Sequence, residues 1–218
     1  LTFNRAEHTA SGALPAHWAG DENSTWEAYL RSIIAGLTAG LSGVIFWGWD
    51  IAGFSDALPT AELYLRSTAM ATFCPIMQYH SEYNPPGEPS RDRTPWNIAA
   101  HTGDERAISF FRHFARIRMN LLPYIAAEAE YAAAQGTPLM RPLLLDYPHD
   151  PVCWGIDDQY LFGRSLLIAP VVEEGATTRT LYLPSGHWVD FWTGTRFEGR
   201  QWITVDAPWD SISVFAKS

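Results

Sequence analysis

The stretch from Trp26 to Asp50, WEAYLRSIIAGLTAGLSGVIFWGWD, reads as a helix, a turn and a buried strand in one run. Trp26, Leu30, Ile33, Ile34, Leu37 and Leu41 recur at three- and four-residue steps, which makes one buried helical face. Ser24 followed by Glu27 predicts a capping box at the start of that helix. Gly43-Val-Ile-Phe-Trp47 is then a short continuous apolar run, as a parallel strand covered on both faces requires, and Asp50 falls just past its C-terminal end.

The same unit repeats on either side. Leu1-Thr2-Phe3 reads as a strand that begins at once, so the sequence opens in mid-fold, with Arg5 just after it. Downstream, a helix is expected from about Thr60 to Thr72 and a strand over Pro75 to Tyr79, followed by His80. The segment Ser81 to Thr102, rich in Pro, Gly, Arg and Asp, reads as a long loop. Asp104 to Gln135 is helical by the spacing of Phe110, Phe111, Phe114, Ile117, Leu121 and Leu122, with a kink expected at Pro123 and a stop at Gly136.

This alternation is the βα repeat of a (β/α)8 TIM barrel, and it puts Arg5, Asp21, Asp50 and His80 on loops that follow strands, the face where barrel active sites sit. A whole barrel takes about 250 residues and eight strands. Only part of one is present. From Pro138 the texture changes to short apolar or alternating runs: Leu139 to Leu145, Tyr160 to Phe162, Leu166 to Val172, Thr180 to Leu183, Trp188 to Trp192 and Ile212 to Phe215. Turn residues such as Pro148, Gly163, Gly175 and Gly194 punctuate them, the pattern of a small antiparallel β-sandwich. The expected fold is therefore α/β, the C-terminal part of a barrel over residues 1–136 and a β-sandwich domain over 137–218.

Composition narrows the partners. With 218 residues, 47% of them hydrophobic, the chain can bury a real core. Its apolar stretches are broken well before the length that a bilayer demands, so no membrane span is predicted. A net charge of −9, from 15 basic and 24 acidic residues, argues against a nucleic-acid partner, because phosphate binding needs clustered Lys and Arg. Cys74 and Cys153 are too few for a disulfide framework or a cysteine zinc site, read as buried thiols, and favour a cytoplasmic setting.

The loop after the first strand carries His17-Trp-Ala-Gly-Asp21, and the next carries Trp47-Gly-Trp-Asp50. Carboxylates beside tryptophans suit a sugar. A glycosidic bond breaks through an oxocarbenium-like transition state that needs a carboxylic acid at the leaving oxygen, while aromatic rings cover the apolar faces of the sugar. The residues alone leave a plainer reading open, with Trp18, Trp47 and Trp49 in the core and Asp21 capping a helix. A metal site from His17 and Asp21 is disfavoured, because their i, i+4 spacing lies in a glycine-containing loop rather than on a helix.

The chain resembles glycoside hydrolase family 31, the retaining α-glucosidases and α-xylosidases. The resemblance is carried by Arg5 with His17-Trp-Ala-Gly-Asp21, Gly40-Leu-Ser-Gly43, Trp47 with Asp50-Ile-Ala-Gly-Phe54, Gly136-Thr-Pro138, Gln159-Tyr-Leu-Phe-Gly163 and Leu181-Tyr-Leu-Pro184. It implies that Asp21 is the general acid/base and that Arg5, Trp18, Asp50, Phe54 and His80 line the sugar subsite, with Phe54 equally open to a packing role. It also implies a nucleophilic aspartate on an earlier barrel strand, ahead of Leu1. The chain is then expected to hold half the catalytic pair, to be inactive and poorly soluble alone, and to need the remainder of its own barrel. No cofactor is implied, because carboxylates suffice. The substrate would be an α-linked oligosaccharide or glycoside. Transglycosylation, lytic cleavage on the same scaffold, and non-catalytic carbohydrate binding are the alternatives. Gln78 stands where many members have a basic residue, and Trp49 where many have a small or polar one.

Overall fold

The computed structural model describes residues 4, 14, 16–55, 57–80 and 90–218. The expected strand at Leu1 to Phe3 lies outside them, as does Arg5. Four chain segments run side by side in parallel. Asn4 bridges His17, strand β1 (His17–Trp18) pairs with β2 (Trp47–Gly48), and Asp50 bridges Gln78. The pairing is shorter than the apolar run Gly43 to Trp47 suggests, yet its backbone is engaged: His17 N donates to Phe46 O and Leu139 N to Ile45 O.

Helix α1 (Trp26–Leu41) joins β1 to β2. Its N-cap is Thr25, whose hydroxyl accepts from Ala28 N, and not the expected Ser24. Tyr29, Ile33 and Leu37 form its buried stripe, and Tyr29 stacks on Trp49 with ring centroids 5.1 Å apart. Helix α2 (Ala61–Thr72) is capped by Thr60 and is buried at every residue from Glu62 to Thr72. The long loop expected up to Thr102 is corrected by helix α3 (Pro95–Thr102), which starts with Thr94 as N-cap and proline in its first turn. Thr94 and Pro95 are a cap and first-turn proline, set in surroundings polar enough to read as loop. Residues 81–89 lie outside the described set. The predicted helix Asp104 to Gln135 is two helices, α4 (Arg106–Asn120) and α5 (Leu122–Gln135). The break comes at Leu121, so that Pro123 sits in the first turn of α5, where its missing N–H is harmless. Gly136 ends α5 in the left-handed conformation, φ 64°.

The rest of the chain is an antiparallel β-domain. Strands β3 (Met140–Pro142), β4 (Tyr160–Phe162), β5 (Leu166–Ala169), β7 (His187–Asp190), β8 (Arg196–Glu198) and β10 (Ser213–Lys217) form a sheet in the order β3-β4-β5-β10-β7-β8. Strands β6 (Thr178–Leu183) and β9 (Gln201–Asp206) form a separate antiparallel pair. The expected strand over Leu139 to Leu145 is cut short by a helical turn, α6 (Leu143–Asp146), because Pro142 ends the ladder; β8 and β9 were not foreseen. Leu161, Leu167, Trp188 and Phe215 of the larger sheet share one apolar cluster with Leu181 and Leu183 of the smaller pair. A larger cluster runs from α1, β2 and α2 into Tyr160, Phe162, Ile168 and Val214, so the helical part and the β-domain are packed on a common core.

Polar clasps reinforce this junction. The guanidinium of Arg66, 2% exposed, donates to Pro208 O (2.8 Å), Ala207 O (2.7 Å) and Ala176 O (3.0 Å). The Glu62 carboxylate, one turn earlier on α2, accepts from Gly175 N at 3.1 Å. Replacing Arg66 with Met leaves these carbonyls and a buried carboxylate without their partner, so Arg66→Met is expected to lower unfolding stability by about 3–5 kcal/mol in urea titration of the full-length protein. A loss below about 1 kcal/mol, the level of an exposed ion pair, would show that the clasp contributes little.

Both cysteines are free and buried, and burial pushes their thiols up to about 12. Among the described residues no helix is long and apolar enough to cross a membrane, and no three His, Cys, Asp or Glu side chains gather as a metal site.

Candidate active site

The parallel segments deliver their following residues to one side. After β1 come Ala19, Gly20 and Asp21; after β2 come Trp49, Asp50 and the turn to Phe54; after the Gln78 bridge comes His80. The first two loops are stitched together: Phe54 N donates to Glu22 O at 2.7 Å and Ser55 N to the same oxygen at 3.0 Å. Gly53 has φ 93°, and a Cβ there would lie 2.7 Å from Asn23 O, so only glycine lets the two loops approach.

Trp18, Phe54 and His80 form an aromatic row. The Trp18 and Phe54 rings meet edge to face at 6.4 Å, and Phe54 stacks on His80 at 5.1 Å. Trp18 and Phe54 are half-buried while His80 is exposed, which leaves ring surface open to a ligand. Trp47 and Trp49, by contrast, are core residues, at 4% and 1% exposure. The plainer reading therefore holds for these two tryptophans, but the cap of α1 is Thr25 and Asp21 lies exposed four residues before it. His17 is buried in β1, as suits a supporting residue.

Asp50 is fully buried. Its Oδ1 accepts from Gln78 Nε2 at 2.8 Å, and its Oδ2 has no hydrogen-bond partner among the described residues. Burial pushes its carboxyl from the usual 3.8 up to about 6, against the Gln78 hydrogen bond and the electrostatic influence of His80 and Arg93, and with the Asp21 carboxylate adding to the rise. Glu22 is raised as well, by burial and then by Asp21. The electrostatic coupling of Asp21 to both groups puts several carboxyls in one small volume, which is what acid/base chemistry at a sugar requires.

Arg93 was not foreseen. It is completely buried ahead of α3, and its guanidinium donates to Ser24 Oγ (3.1 Å), Ser55 O (3.0 Å) and Arg91 O (2.9 Å). It holds both site loops from behind while its own carbonyl accepts from Tyr64 Oη at 3.0 Å. Nothing in the polar run Ser90-Arg-Asp-Arg93 distinguishes it from a solvated loop arginine.

The family model for the glycosyl hydrolases family 31 TIM-barrel domain matches residues 1–128, and that for the family 31 C-terminal domain matches 136–218. The chain belongs to glycosyl hydrolase family 31. Among its family 31 relatives, a 1,3-alpha-isomaltosidase of Kribbella flavida is 50% identical over all of this chain and 30% of its own length. An isomaltosyltransferase of Sporosarcina globispora is 46% identical, again over all of this chain but 20% of its own length. The cycloalternan-degrading enzyme from Trueperella pyogenes superposes with a TM-score of 0.97 at 49% identity, covering all of this chain and 31% of that one. The chain thus spans less than a third of the length of these family 31 relatives. The family match carries the expected resemblance through, with a TIM-barrel part followed by the family's C-terminal domain.

Proposed function

We propose that these residues belong to a retaining α-glycosidase that acts on α-linked gluco-oligosaccharides. The observation that carries this reading is the convergence of Asp21, Asp50, Trp18, Phe54 and His80 at the ends of successive parallel segments. Asp21, exposed at the loop tip, gives its proton to the bridging oxygen as the bond from the anomeric carbon breaks, and an aspartate ahead of Leu1 takes that carbon. The Asp21 carboxylate then takes a proton from the water that releases the sugar, with inversion at both steps and net retention. Asp50 supplies a buried negative charge beside the subsite, Arg5 and His80 donate to sugar hydroxyls, and Trp18 with Phe54 walls the ring. No cofactor enters the scheme.

The finer architecture belongs to the same proposal. Residues 1–136 form the C-terminal part of a (β/α)8 barrel, and residues 137–218 a two-layer β-sandwich. The division is supported by the end of α5 at Gly136, and the sandwich by the apolar cluster common to both sheets. The remainder of the barrel would cover an apolar groove along α4, lined by Phe111, Ala115 and Met119 with Trp96 of α3; Trp96 and Met119 are 62% and 63% exposed.

Isomaltosyl-containing α-glucans are the substrates to try first, because relatives at 50% and 46% identity bear isomaltosidase and isomaltosyltransferase names. The second of these names favours transfer as the second reading. Both are resolved by following panose turnover by the full-length protein with proton NMR. Hydrolysis with retention releases the α-anomer first, before mutarotation; transfer lengthens the oligosaccharide at constant reducing ends. The β-anomer first, an unsaturated product or no turnover of any α-linked sugar would reject the proposal.

A further inference from the structure

The β-domain carries a concavity of about 450 Å³ that shares no residue with the candidate active site. Its walls come from the segment between α6 and Cys153, from the end of β6 and the turn after it, and from the β8–β9 turn. Tyr182 lines it and donates from Oη to Asp150 Oδ2 at 2.7 Å. Across the β6–β9 pair Tyr182 faces Trp202, with ring centroids 5.3 Å apart, and Trp202 is 55% exposed. Tyr147, another wall, is 92% buried, and its hydroxyl has no hydrogen-bond partner among the described residues.

Arg200 stands at the rim. It is exposed, makes no ion pair or hydrogen bond with the described residues, and is held at φ 57°, in the left-handed region that side chains other than glycine seldom adopt. The turn is forced, since its other residue, Gly199, packs so closely on the 184–186 turn that a Cβ would lie 2.0 Å from Pro184 O. An exposed guanidinium with no partner among the described residues, at the rim of a part-aromatic cavity, is available to a ligand.

The charges select the ligand. Asp146 is already neutralised by Arg141 in a two-pronged pair at 2.8 and 3.0 Å, and Asp150 accepts from Tyr182 and from Val152 N. With Asp146 paired to Arg141 and both Asp150 oxygens engaged, neither carboxylate is free to hold a metal cation, and Arg200 disfavours one further. What fits acceptors, donors and flat rings together is a neutral polyhydroxylated chain with apolar faces. We propose that this concavity is a second, non-catalytic oligosaccharide-binding site, with Arg200 as its main free donor and the exposed ring of Trp202, packed beside the buried Tyr182 wall, as the adjoining stacking surface. That the sugar is an α-glucan rests on the glycosidase reading; the site does not.

The test uses the full-length protein with Asp21→Asn to suppress turnover, titrated calorimetrically with isomaltotetraose and, as a control, cellotetraose. Isomaltotetraose is expected to fill two independent sites. Adding Arg200→Gly, which glycine's freedom at φ 57° keeps foldable, should weaken one of them at least ~10-fold, the effect of losing a charge-assisted hydrogen bond, and leave the other unchanged. In the otherwise wild-type enzyme, Arg200→Gly should raise KM for a long α-glucan with kcat on an aryl α-glucoside unaltered. A single site in both proteins, or two sites that Arg200→Gly does not touch, overturns the proposal. Arg200-dependent binding in a protein without glycosidase turnover would reject the catalytic reading and leave this site standing, and a preference for cellotetraose would reassign its sugar.

Discussion

Asp21→Asn in the full-length protein is expected to lower kcat/KM on an unactivated α-linked disaccharide by about 10²- to 10⁴-fold, the range for loss of a general acid. Proton donation matters only where the departing oxygen is a poor leaving group. On a dinitrophenyl α-glycoside, whose phenolate leaves unaided, the bond-breaking step of the same variant should be nearly as fast as in wild type, and the second step, which needs Asp21 as base, should become limiting. A burst of phenolate followed by slow turnover is the expected record. Equal losses on both substrates would mean that Asp21 positions its loop or the sugar and carries no proton. Asp21 is exposed, and backbone hydrogen bonds from Phe54 and Ser55 hold its loop independently of the side chain, so the change leaves the loop in place.

Asp50→Asn should separate function from stability, with opposite signs. The asparagine carbonyl can still accept from Gln78, so the local hydrogen bond at 2.8 Å survives. What is lost is the negative charge beside the sugar subsite, and one charge-assisted interaction is worth about 1.5–3 kcal/mol, so kcat/KM should fall by about 10- to 150-fold. Stability moves the other way. A carboxyl whose folded value is raised from 3.8 to about 6 holds its proton more tightly in the native state than in the unfolded one. Its contribution is therefore fully present below about pH 4 and is lost as pH rises through about 6, where the buried Asp50 must ionise. The rise corresponds to roughly 3 kcal/mol. Asp50→Asn, which cannot ionise, should match wild type near pH 4 and exceed its unfolding stability by up to that amount at pH 8, as read by urea titration at both values. A variant less stable than wild type at pH 8 would show that the ionised carboxylate is anchored by its surroundings and is not a strained group held for a ligand.

The candidate site is readable where its residues coincide with local pattern. Asp21 and Asp50 sit one to three residues past apolar runs flanked by glycine and tryptophan, and the structure brings those loop residues together with Trp18, Phe54 and His80. Which tryptophans join the core is not readable: Trp18 and Trp49 occupy similar sequence surroundings, but Trp49 stacks on Tyr29 inside the core while Trp18 meets Phe54 at the loop ends. Arg93 was invisible for the same reason. Its partners, Ser24 and Ser55, are distant in sequence, and no local periodicity encodes a guanidinium that closes on them. Helix α3 was missed for a different cause, since a short helix opened by Thr94-Pro95 carries too few apolar positions to stand out from a polar surrounding.

By itself the sequence determined the alternation of helices and parallel segments up to Gly136, the change to antiparallel strands beyond it, and the loop positions of the two aspartates. Each of these follows from hydrophobic period and turn chemistry, which act over a few residues. The tertiary structure alone decided that Asp50 is buried with one oxygen unpartnered, that Arg66 and Arg93 act as clasps, and that Arg200 stands unpaired beside the Tyr182 concavity. Burial, desolvation and the satisfaction of buried polar groups depend on which distant segments meet, and that is settled only when the whole chain packs.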